Sequence, residues 1–256
     1  METNVDKVTR VGMGQKIAFG FGMLANQMFP AALGVFIIVL VQDLGFAALL
    51  WGIIQFAPRI FDAITDPLMG FISDNTKSKW GRRRQYVFIG GIIMGIAYVA
   101  MWQLYEDDGI VYNFIYFFSW SLVFYLGLTI FSVPYVAMGY EISDDFHERT
   151  QIMAIAQFIG QWAWVIAPWF WVILYDPAWF PEGAGQGVRD LSIWVAIPCT
   201  IFAIIPAVFI KSKSTTERTD FVPITTSYIL KSIKGIFISA FEAFKIKQFK
   251  MIAFAT

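Results

Sequence analysis

The sequence predicts an all-α membrane protein with several membrane-spanning helices, on three observations. The 256-residue chain is 57% hydrophobic and only 15% charged, whereas soluble domains carry roughly 25% charged residues. Six apolar stretches are each long enough to cross a hydrocarbon core of about 30 Å as a helix. Five of them contain no charged residue. The stretches are 17–42, 44–73, 86–105, 110–140, 150–175 and 191–210.

The basic residues lie almost entirely on one side of the predicted membrane. Seventeen of the 19 Lys and Arg residues precede the first stretch, occupy the connections after the second and fourth stretches, or follow the sixth. The opposite connections are mainly acidic and contain a single arginine, Arg189. Because cytoplasmic loops are enriched in Lys and Arg, the pattern predicts a multi-pass protein of the cell (inner) membrane with a cytoplasmic N-terminus.

The chain divides into three predicted parts. Residues 1–210 form a bundle of six transmembrane helices. Residues 211–248 form a cytoplasmic connecting loop, in which 228–244 has apolar residues at helical spacing with lysines between them, a pattern typical of a helix lying on the membrane surface. Residues 249–256 begin another apolar run that is too short to span a bilayer. This predicts a chain truncated at the start of a seventh helix, which is half of a larger transporter.

Several classes of protein are disfavoured by the sequence. No cleavable signal peptide is expected, because a polar N-terminus leads directly into a full-length apolar stretch. The single cysteine, Cys199, lies in the sixth stretch and excludes a disulfide scaffold. No nucleic-acid partner is expected, and membrane lipid is the predicted surrounding.

Three charged residues, Arg59, Asp62 and Asp66, interrupt the second apolar stretch. Their offsets of 0, 3 and 7 residues place them on one face of an α-helix, where a charge is costly without a partner or a task. Two carboxylates one turn apart, with Thr65 beside them, offer oxygen ligands to a metal cation such as Na⁺, and Arg59 offsets one negative charge. Crowded carboxylates would equally hold a proton. An Arg–Asp pair that only neutralises itself is the third interpretation.

A basic loop follows the same stretch and predicts a gate at its cytoplasmic end. Asp74 ends the predicted helix, and Lys79, Arg82, Arg83 and Arg84 follow it. Charged hydrogen bonds among these groups would hold the cytoplasmic side closed and break when it opens. The simpler interpretation is that the basic side chains anchor the protein at the membrane surface.

Polar residues recur at helical spacing in the first, fourth and fifth stretches. Singly, such residues usually hydrogen-bond to a neighbouring helix. Together with the charged face of the second stretch, they predict a shared substrate cavity. The residues are Asn26, Gln27, Tyr125, Thr129, Ser132, Gln157 and Gln161.

Three motifs resemble the glycoside–pentoside–hexuronide:cation symporter family of the major facilitator superfamily, the family that includes melibiose permease. They are Arg59-x-x-Asp62-x-x-x-Asp66-Pro67, then Lys79-Trp80-Gly81-Arg82, and Val133-Pro134-Tyr135 followed by Glu141-Ile-Ser and Glu148-Arg149-Thr150. The resemblance extends over the first six stretches. It implies the N-terminal six-helix half of a twelve-helix fold with alternating access around a midplane site.

The resemblance also implies roles for individual residues. Asp62 and Asp66 match the family's cation-ligating carboxylates, Thr129 matches a cation-site threonine, and Thr65 occupies the position of an asparagine that contributes to cation selectivity. The sugar-binding positions differ, because this chain has neutral side chains where the family has two acids, a stacking tryptophan and an arginine. These residues are Gln27, Ser132, Val136 and Gln157.

Together these features predict a secondary active transporter, not an enzyme. The expected activity is Na⁺- or H⁺-coupled symport of a small solute, with a sugar or glycoside preferred, and no cofactor besides the coupling ion. The expected partner is a C-terminal half of the same transporter. Three alternatives are a lipid or lysolipid transporter on the same fold, an intramembrane Mg²⁺-dependent transferase that uses Asp62 and Asp66, and a non-transporting receptor.

Overall fold

Six long α-helices make up the bundle. The structure is a computed structural model that describes residues 11–210 together with Gly235 and Glu242. The bounds are α1 Met13–Gln42, α2 Ala48–Asp74, α3 Arg84–Met101, α4 Ile110–Glu141, α5 Phe146–Leu174 and α6 Ala184–Phe209, with a short 3₁₀ turn at Glu106–Asp108. Each predicted stretch is helical over most of its length, with 44–47 and 102–105 outside the helices. The all-α prediction is confirmed for the described residues.

Four helices, α1, α3, α5 and α6, begin earlier than the apolar stretches predict. Helix α5 starts at Phe146 because Asp145 is its N-cap and accepts a 2.7 Å hydrogen bond from the Glu148 backbone N–H. Helix α6 starts at Ala184, after Gly183 with a φ of 100°. The N-cap residue, and not the first uncharged residue, sets where a helix begins. The polar residues just before the fifth and sixth apolar stretches, which the sequence predicts in connections, therefore belong to α5 and α6.

Five helices, α1, α3, α4, α5 and α6, are long and apolar enough to cross a membrane. The chain is therefore a multi-pass membrane protein. Helix α2 has 27 residues, but the charges of Arg59, Asp62 and Asp66 lower its apolar character. Its membrane-spanning status, and with it the count of six spans, stays a prediction. The predicted parts 211–248 and 249–256 lie outside the described residues, except for Gly235 and Glu242, which are helical.

Close contact between helices α3 and α4 depends on glycine. A Cβ atom on Gly127 would lie 2.7 Å from the backbone nitrogen of Met94, and one on Gly90 would lie 2.5 Å from the backbone nitrogen of Phe131. Backbone cannot move aside as a side chain can, so each helix presents a glycine where the other approaches most closely. Helix α3 also packs on α6, and α6 packs on α1.

Helices α1 and α5 are joined by polar contacts at both ends. At the start of α1, Lys16 Nζ lies 3.4 Å from Glu148 Oε1 and donates to Gln151 Oε1 at 2.6 Å, and the Val11 backbone N–H donates to Glu148. At the other end, the Tyr175 hydroxyl lies 3.0 Å from Asp43 Oδ2. Partial burial and the Asp43 carboxylate raise the pKa of Tyr175 to about 12, so the phenol stays a donor at neutral pH.

Helix α2 is the least buried of the long helices. Of its 27 residues only Ile54, Pro58, Met69 and Ser73 are buried, and its main neighbour is α4. Its polar face therefore stays accessible beside α4, and the candidate site lies at this interface.

Candidate functional site

The contact between α2 and α4 is made by a buried threonine and a carboxylate. The Thr129 hydroxyl donates to Asp66 Oδ1 at 2.8 Å, and Thr129 is only 3% exposed. A hydrogen bond to a charged acceptor is stronger than one between neutral groups. Two residues that the sequence places 63 positions apart thus share one polar contact between α2 and α4, in which Thr129 is buried and Asp66 is exposed.

Thr65 lies beside this contact and can take part in it. Its hydroxyl donates to the Phe61 carbonyl at 3.0 Å, and its oxygen lies 3.4 Å from Thr129 Oγ1. Because a hydroxyl oxygen has two lone pairs, Thr65 can still accept a hydrogen bond while it donates to Phe61. Thr65, Thr129 and Asp66 therefore form a continuous polar chain across the interface.

The other charged residues of α2 lie on the same face. Asp62 is half-buried one turn before Asp66, and Arg59 is exposed one turn earlier. Tyr125 on α4 is half-buried. Among the described residues no third His, Cys or acidic side chain joins Asp62 and Asp66 in a cluster.

The predicted cavity residues are only partly brought together. The indole N–H of Trp164 on α5 donates to Gln27 Oε1 on α1 at 3.2 Å, which joins these helices between their ends. Asn26 is half-buried and points its amide towards Met23 Sδ, 4.0 Å away. Gln157 and Gln161 are exposed and Ser132 is half-buried. Trp164 was not among the cavity residues predicted from the sequence.

The predicted gate residues form a network that includes an acid from α4. Arg83 pairs with Asp74 at the end of α2 and, at 2.7 Å, with Glu141 at the end of α4. Arg82 also pairs with Glu141 and lies 3.4 Å from the Asp74 carbonyl. The Arg83 side chain is 10% exposed. The guanidinium of Arg83 thus bridges the ends of two helices.

Arg84 and Lys79 lie outside this network of Asp74, Arg82, Arg83 and Glu141. The guanidinium of Arg84 donates to the carbonyls of Ala207 at 2.6 Å and Val208 at 2.9 Å. These carbonyls belong to the last turn of α6, which has no further intrahelical partners for them. Lys79 is exposed. Arg84 therefore stabilises the end of α6 and not the contact between α2 and α4.

Two acidic residues have structural roles that the sequence patterns did not predict. Glu141 and Glu148 belong to the third motif of the family resemblance, and in the structure Glu141 pairs with two arginines and Glu148 joins α1 to α5. For Glu141, the sequence feature that could have predicted its role is its place at the end of the fourth helix, on the same predicted side of the membrane as the basic loop after α2. For Glu148, the signal was the Ser143 and Asp145 pair before it, whose side chains bond to its carboxylate and backbone N–H.

Comparison with known proteins identifies relatives over most of the chain. The family described as MFS/sugar transport protein matches residues 18–239. An uncharacterized symporter of Synechocystis is 27% identical over 188 residues, which cover 71% of this chain and 34% of the relative. The lactose permease of Leuconostoc lactis is 27% identical over 232 residues, covering 83% of this chain and 36% of the permease.

A sodium-dependent lysophosphatidylcholine symporter of Xenopus tropicalis is 30% identical over 146 residues, covering 55% of this chain and 27% of the relative. The chain spans about a third of the length of the bacterial relatives it matches. Since the family match includes five apolar helices and most of the described bundle, the chain belongs to the MFS/sugar transport protein family of the major facilitator superfamily.

Proposed function

We propose that this chain is the N-terminal half of a cation-coupled symporter for a small solute, with a sugar or glycoside as the preferred class. The observation that carries the proposal is the hydrogen bond from Thr129 to Asp66, because it places a carboxylate and a hydroxyl oxygen at one point between α2 and α4. With Asp62 one turn away, this interface offers the hard oxygen ligands that a small cation needs.

Charge balance explains why a cation is the expected ligand. With both carboxylates ionised, Arg59, Asp62 and Asp66 carry a net charge of about −1 on a face at membrane depth, where net charge is costly. One Na⁺ or H⁺ brings the face close to neutral. In the proposed mechanism the cation binds first, the solute then binds in the cavity, and the loaded protein changes its access from one side to the other.

The membrane potential supplies the driving force for this cycle. Each unit charge that moves down 100 mV releases about 2.3 kcal/mol, which corresponds to roughly a fiftyfold concentration ratio of solute. We place the N-terminus and the network of Asp74, Arg82, Arg83 and Glu141 on the cytoplasmic side of the cell (inner) membrane, in accord with the distribution of Lys and Arg. The ion pairs of that network would break when the cytoplasmic side of the transporter opens.

In the proposed bound state the Thr129 hydroxyl changes its hydrogen bond. In the described geometry its proton points to Asp66, and turning that proton away leaves both oxygens free to face one metal cation between them. The Thr65 oxygen, 3.4 Å away, is then the acceptor. The hydroxyl chain would run from Thr129 to Thr65 and on to the Phe61 carbonyl.

This rotation predicts that Thr65→Val weakens sodium binding about fivefold, since it removes one neutral hydrogen bond worth about 1 kcal/mol. Thr65→Ser should keep the affinity. Thr150→Val is the matched control, because the Thr150 hydroxyl donates to Phe146 at 2.9 Å in the same i to i−4 manner far from the site. Sodium binding to the purified protein in lipid nanodiscs measures the effect. Equal affinities for the Val and Ser variants at residue 65 would show that the Thr129 hydroxyl turns to another acceptor.

The class of solute rests on the relatives and on the cavity. Relatives named as symporters and as a lactose permease favour sugar transport over the transferase and receptor alternatives. The lysophosphatidylcholine symporter and the exposed tryptophans of α5, among them Trp162 and Trp169, favour an amphiphile as the second candidate.

Uptake of labelled solutes into vesicles that contain the complete transporter separates these two candidates. We expect an inward cation gradient to drive uptake of sugars, and unlabelled sugars to compete for it while lysolipids do not. The sodium gradient and the proton gradient are then collapsed one at a time, and the gradient whose loss stops uptake identifies the coupling ion. Gradient-driven uptake of lysolipid that sugars do not inhibit would assign the amphiphile instead, and uptake that neither gradient affects would exclude symport.

A further inference from the structure

A buried tyrosine of α4 is fixed to the backbone of α1. Tyr135 is fully buried, and its hydroxyl donates a hydrogen bond to the Phe19 carbonyl of α1. Its ring also stacks on the Phe19 ring, with 4.5 Å between the ring centroids. A hydrogen bond to a backbone carbonyl depends on the position of the whole helix, because no side-chain rotation can move that acceptor. The pair therefore fixes where α4 lies along α1.

Two glycines make this contact reciprocal. A Cβ atom on Gly22 of α1 would lie 2.5 Å from the Tyr135 ring, and one on Gly139 of α4 would lie closer still to the Phe19 ring. Each ring thus fills the space that a side chain would take on the opposite helix. Because helix interfaces of this kind are close-packed, neither helix can slide past the other without a clash. We call Phe19, Gly22, Tyr135 and Gly139 the α1–α4 interlock.

The interlock lies directly after the proline of α4. Pro134 has no backbone N–H, so the carbonyl of Ile130, one turn earlier, loses its partner within the helix. Proline is a common cause of a bend in a long helix. Thr129 of the cation contact lies before this point. Glu141, which pairs with Arg83, lies after it, in the part of α4 that the interlock holds.

Asp74, on the other side of the gate, belongs to a helix that is held much less firmly. It ends α2, which has only four buried residues among its 27. Because few apolar contacts join α2 to the bundle, separating α2 from α4 costs less than separating α4 from α1. Arg83 lies at the start of α3, which approaches α4 closely through glycines. Arg83 and Glu141 therefore both belong to the firmly held side.

We propose that Tyr135 is a positioning residue for the gate, and that the interlock makes Glu141 its fixed side and Asp74 its moving side. When the cytoplasmic side opens, α2 moves away from α4, while the end of α4 stays on α1. The Tyr135 hydroxyl thereby holds Glu141 where Arg83 can bridge it to Asp74. This role depends on the proposed function, in which these ion pairs act as a cytoplasmic gate.

Alkylation of a cysteine between α2 and α4 tests this role. A Cβ atom on Gly70 of α2 would lie 3.8 Å from the Val133 side chain of α4, between the cation contact and the gate. In a Cys199→Ala background, Gly70→Cys is therefore covered while the gate is closed. A membrane-impermeant maleimide, added to the cytoplasmic side of the complete transporter in membrane vesicles, measures how often α2 leaves α4.

Tyr135→Phe keeps the ring and removes the hydroxyl, and we expect it to raise this alkylation rate about fivefold, equivalent to about 1 kcal/mol. Arg83→Ala should raise the rate about tenfold, and Tyr135→Phe should add nothing further to it, because both act through Glu141. Tyr98→Phe is the matched control and should leave the rate unchanged. Tyr98 is equally buried, and within residues 11–210 its hydroxyl makes no hydrogen bond to another helix.

Three alkylation rates would overturn this role of Tyr135. They are an unchanged rate in Tyr135→Phe, an equal rise in Tyr98→Phe, and a full further rise when Tyr135→Phe is added to Arg83→Ala. Faster alkylation of the native Cys199, which is buried in α6, by N-ethylmaleimide in Tyr135→Phe would show general loosening of the bundle and would overturn it too. Absence of sodium binding in the wild type would contradict the proposed function alone, because these rates require neither sodium nor solute.

Two cross-links supply the second measurement, one on the moving side and one on the fixed side. Gly70→Cys with Val133→Cys ties α2 to α4, and this cross-link should stop cation-driven uptake by the complete transporter until a reductant is added. Gly20→Cys with Ile159→Cys ties α1 to α5 and should leave uptake unchanged. A Cβ atom on Gly20 would lie 3.3 Å from the Ile159 Cβ atom, near the roughly 3.5–4.5 Å of disulfides. Uptake that survives the first cross-link, or stops with the second, would overturn the proposal.

Discussion

Asp66→Asn is expected to abolish cation-driven uptake while leaving the bundle folded. The asparagine side chain has nearly the shape of aspartate, and its carbonyl oxygen can still accept the hydrogen bond that Thr129 donates at 2.8 Å. The contact between α2 and α4 is therefore kept, and the negative charge alone is lost. Asp62 and Arg59 then neutralise one another, and the face no longer requires a cation.

The expected loss of sodium affinity is about a hundredfold, equivalent to about 2.7 kcal/mol, the scale of one interaction with a charged group. Titration of sodium against the purified protein in nanodiscs gives this affinity without any knowledge of the solute. Uptake into vesicles by the complete transporter should fall to the level of empty vesicles. The thermal midpoint of the purified protein should stay within a few degrees of the wild-type value, because Thr129 keeps its partner.

Two further variants separate the loss of charge from other effects. Asp66→Ala removes the acceptor for Thr129 as well, so it should lower both the sodium affinity and the thermal midpoint. Asp144→Asn removes an exposed carboxylate in the connection between α4 and α5 and should change neither quantity. Wild-type sodium affinity and gradient-driven uptake in Asp66→Asn would exclude Asp66 as a cation ligand.

The sequence predicts the chemistry of the α2 face well because one helix holds all of it. Arg59, Asp62 and Asp66 share a face by their spacing alone, and the helix that places them there is confirmed over Ala48–Asp74. The assignment of Thr129 depended on the family resemblance, since spacing within α4 does not show which helix it faces. The structure places its hydroxyl against Asp66, and the role of both residues as cation ligands stays a prediction.

Contacts between helix ends could not be predicted from the sequence for a physical reason. Arg82, Arg83 and Arg84 are consecutive, and positive-inside patterning treats them alike. Their partners depend on how α2, α4 and α6 pack around the start of α3, so two of them contact Glu141 and the third contacts Ala207 and Val208. Local spacing carries no information about that arrangement.

The second large effect is expected at Arg83, the residue that joins the ends of α2 and α4. Arg83→Ala removes the cation that pairs with both Asp74 and Glu141, and Arg82 then pairs with Glu141 alone. Because both acids are about half exposed, solvent screens these interactions, and we expect a loss of about 1–2 kcal/mol in folding stability. The folding stability of Arg83→Lys should fall between those of the wild type and Arg83→Ala, since a single ammonium lacks the forked geometry that reaches both carboxylates.

This loss should change transport in a different way from Asp66→Asn. The network of Asp74, Arg82, Arg83 and Glu141 lies at the end of α2, away from Thr129, so the sodium affinity of Arg83→Ala should equal that of the wild type. The maximal rate of uptake should fall about tenfold, because the closed arrangement of this side loses about 1.4 kcal/mol relative to the open one. Sodium titration and initial uptake rates in vesicles measure the two quantities separately, and Lys79→Ala is the control for loss of a basic residue in the same loop.

A double-mutant cycle decides whether Arg83 acts through Glu141. If the 2.7 Å contact between them carries the effect, Glu141→Gln should lower the uptake rate in the wild type and have little further effect in Arg83→Ala, since the contact is already lost. Additive losses in the double variant would mean that the two residues act independently. In that case Asp74 is the partner through which Arg83 holds α2, and the cycle repeated with Asp74→Asn should show the coupling instead.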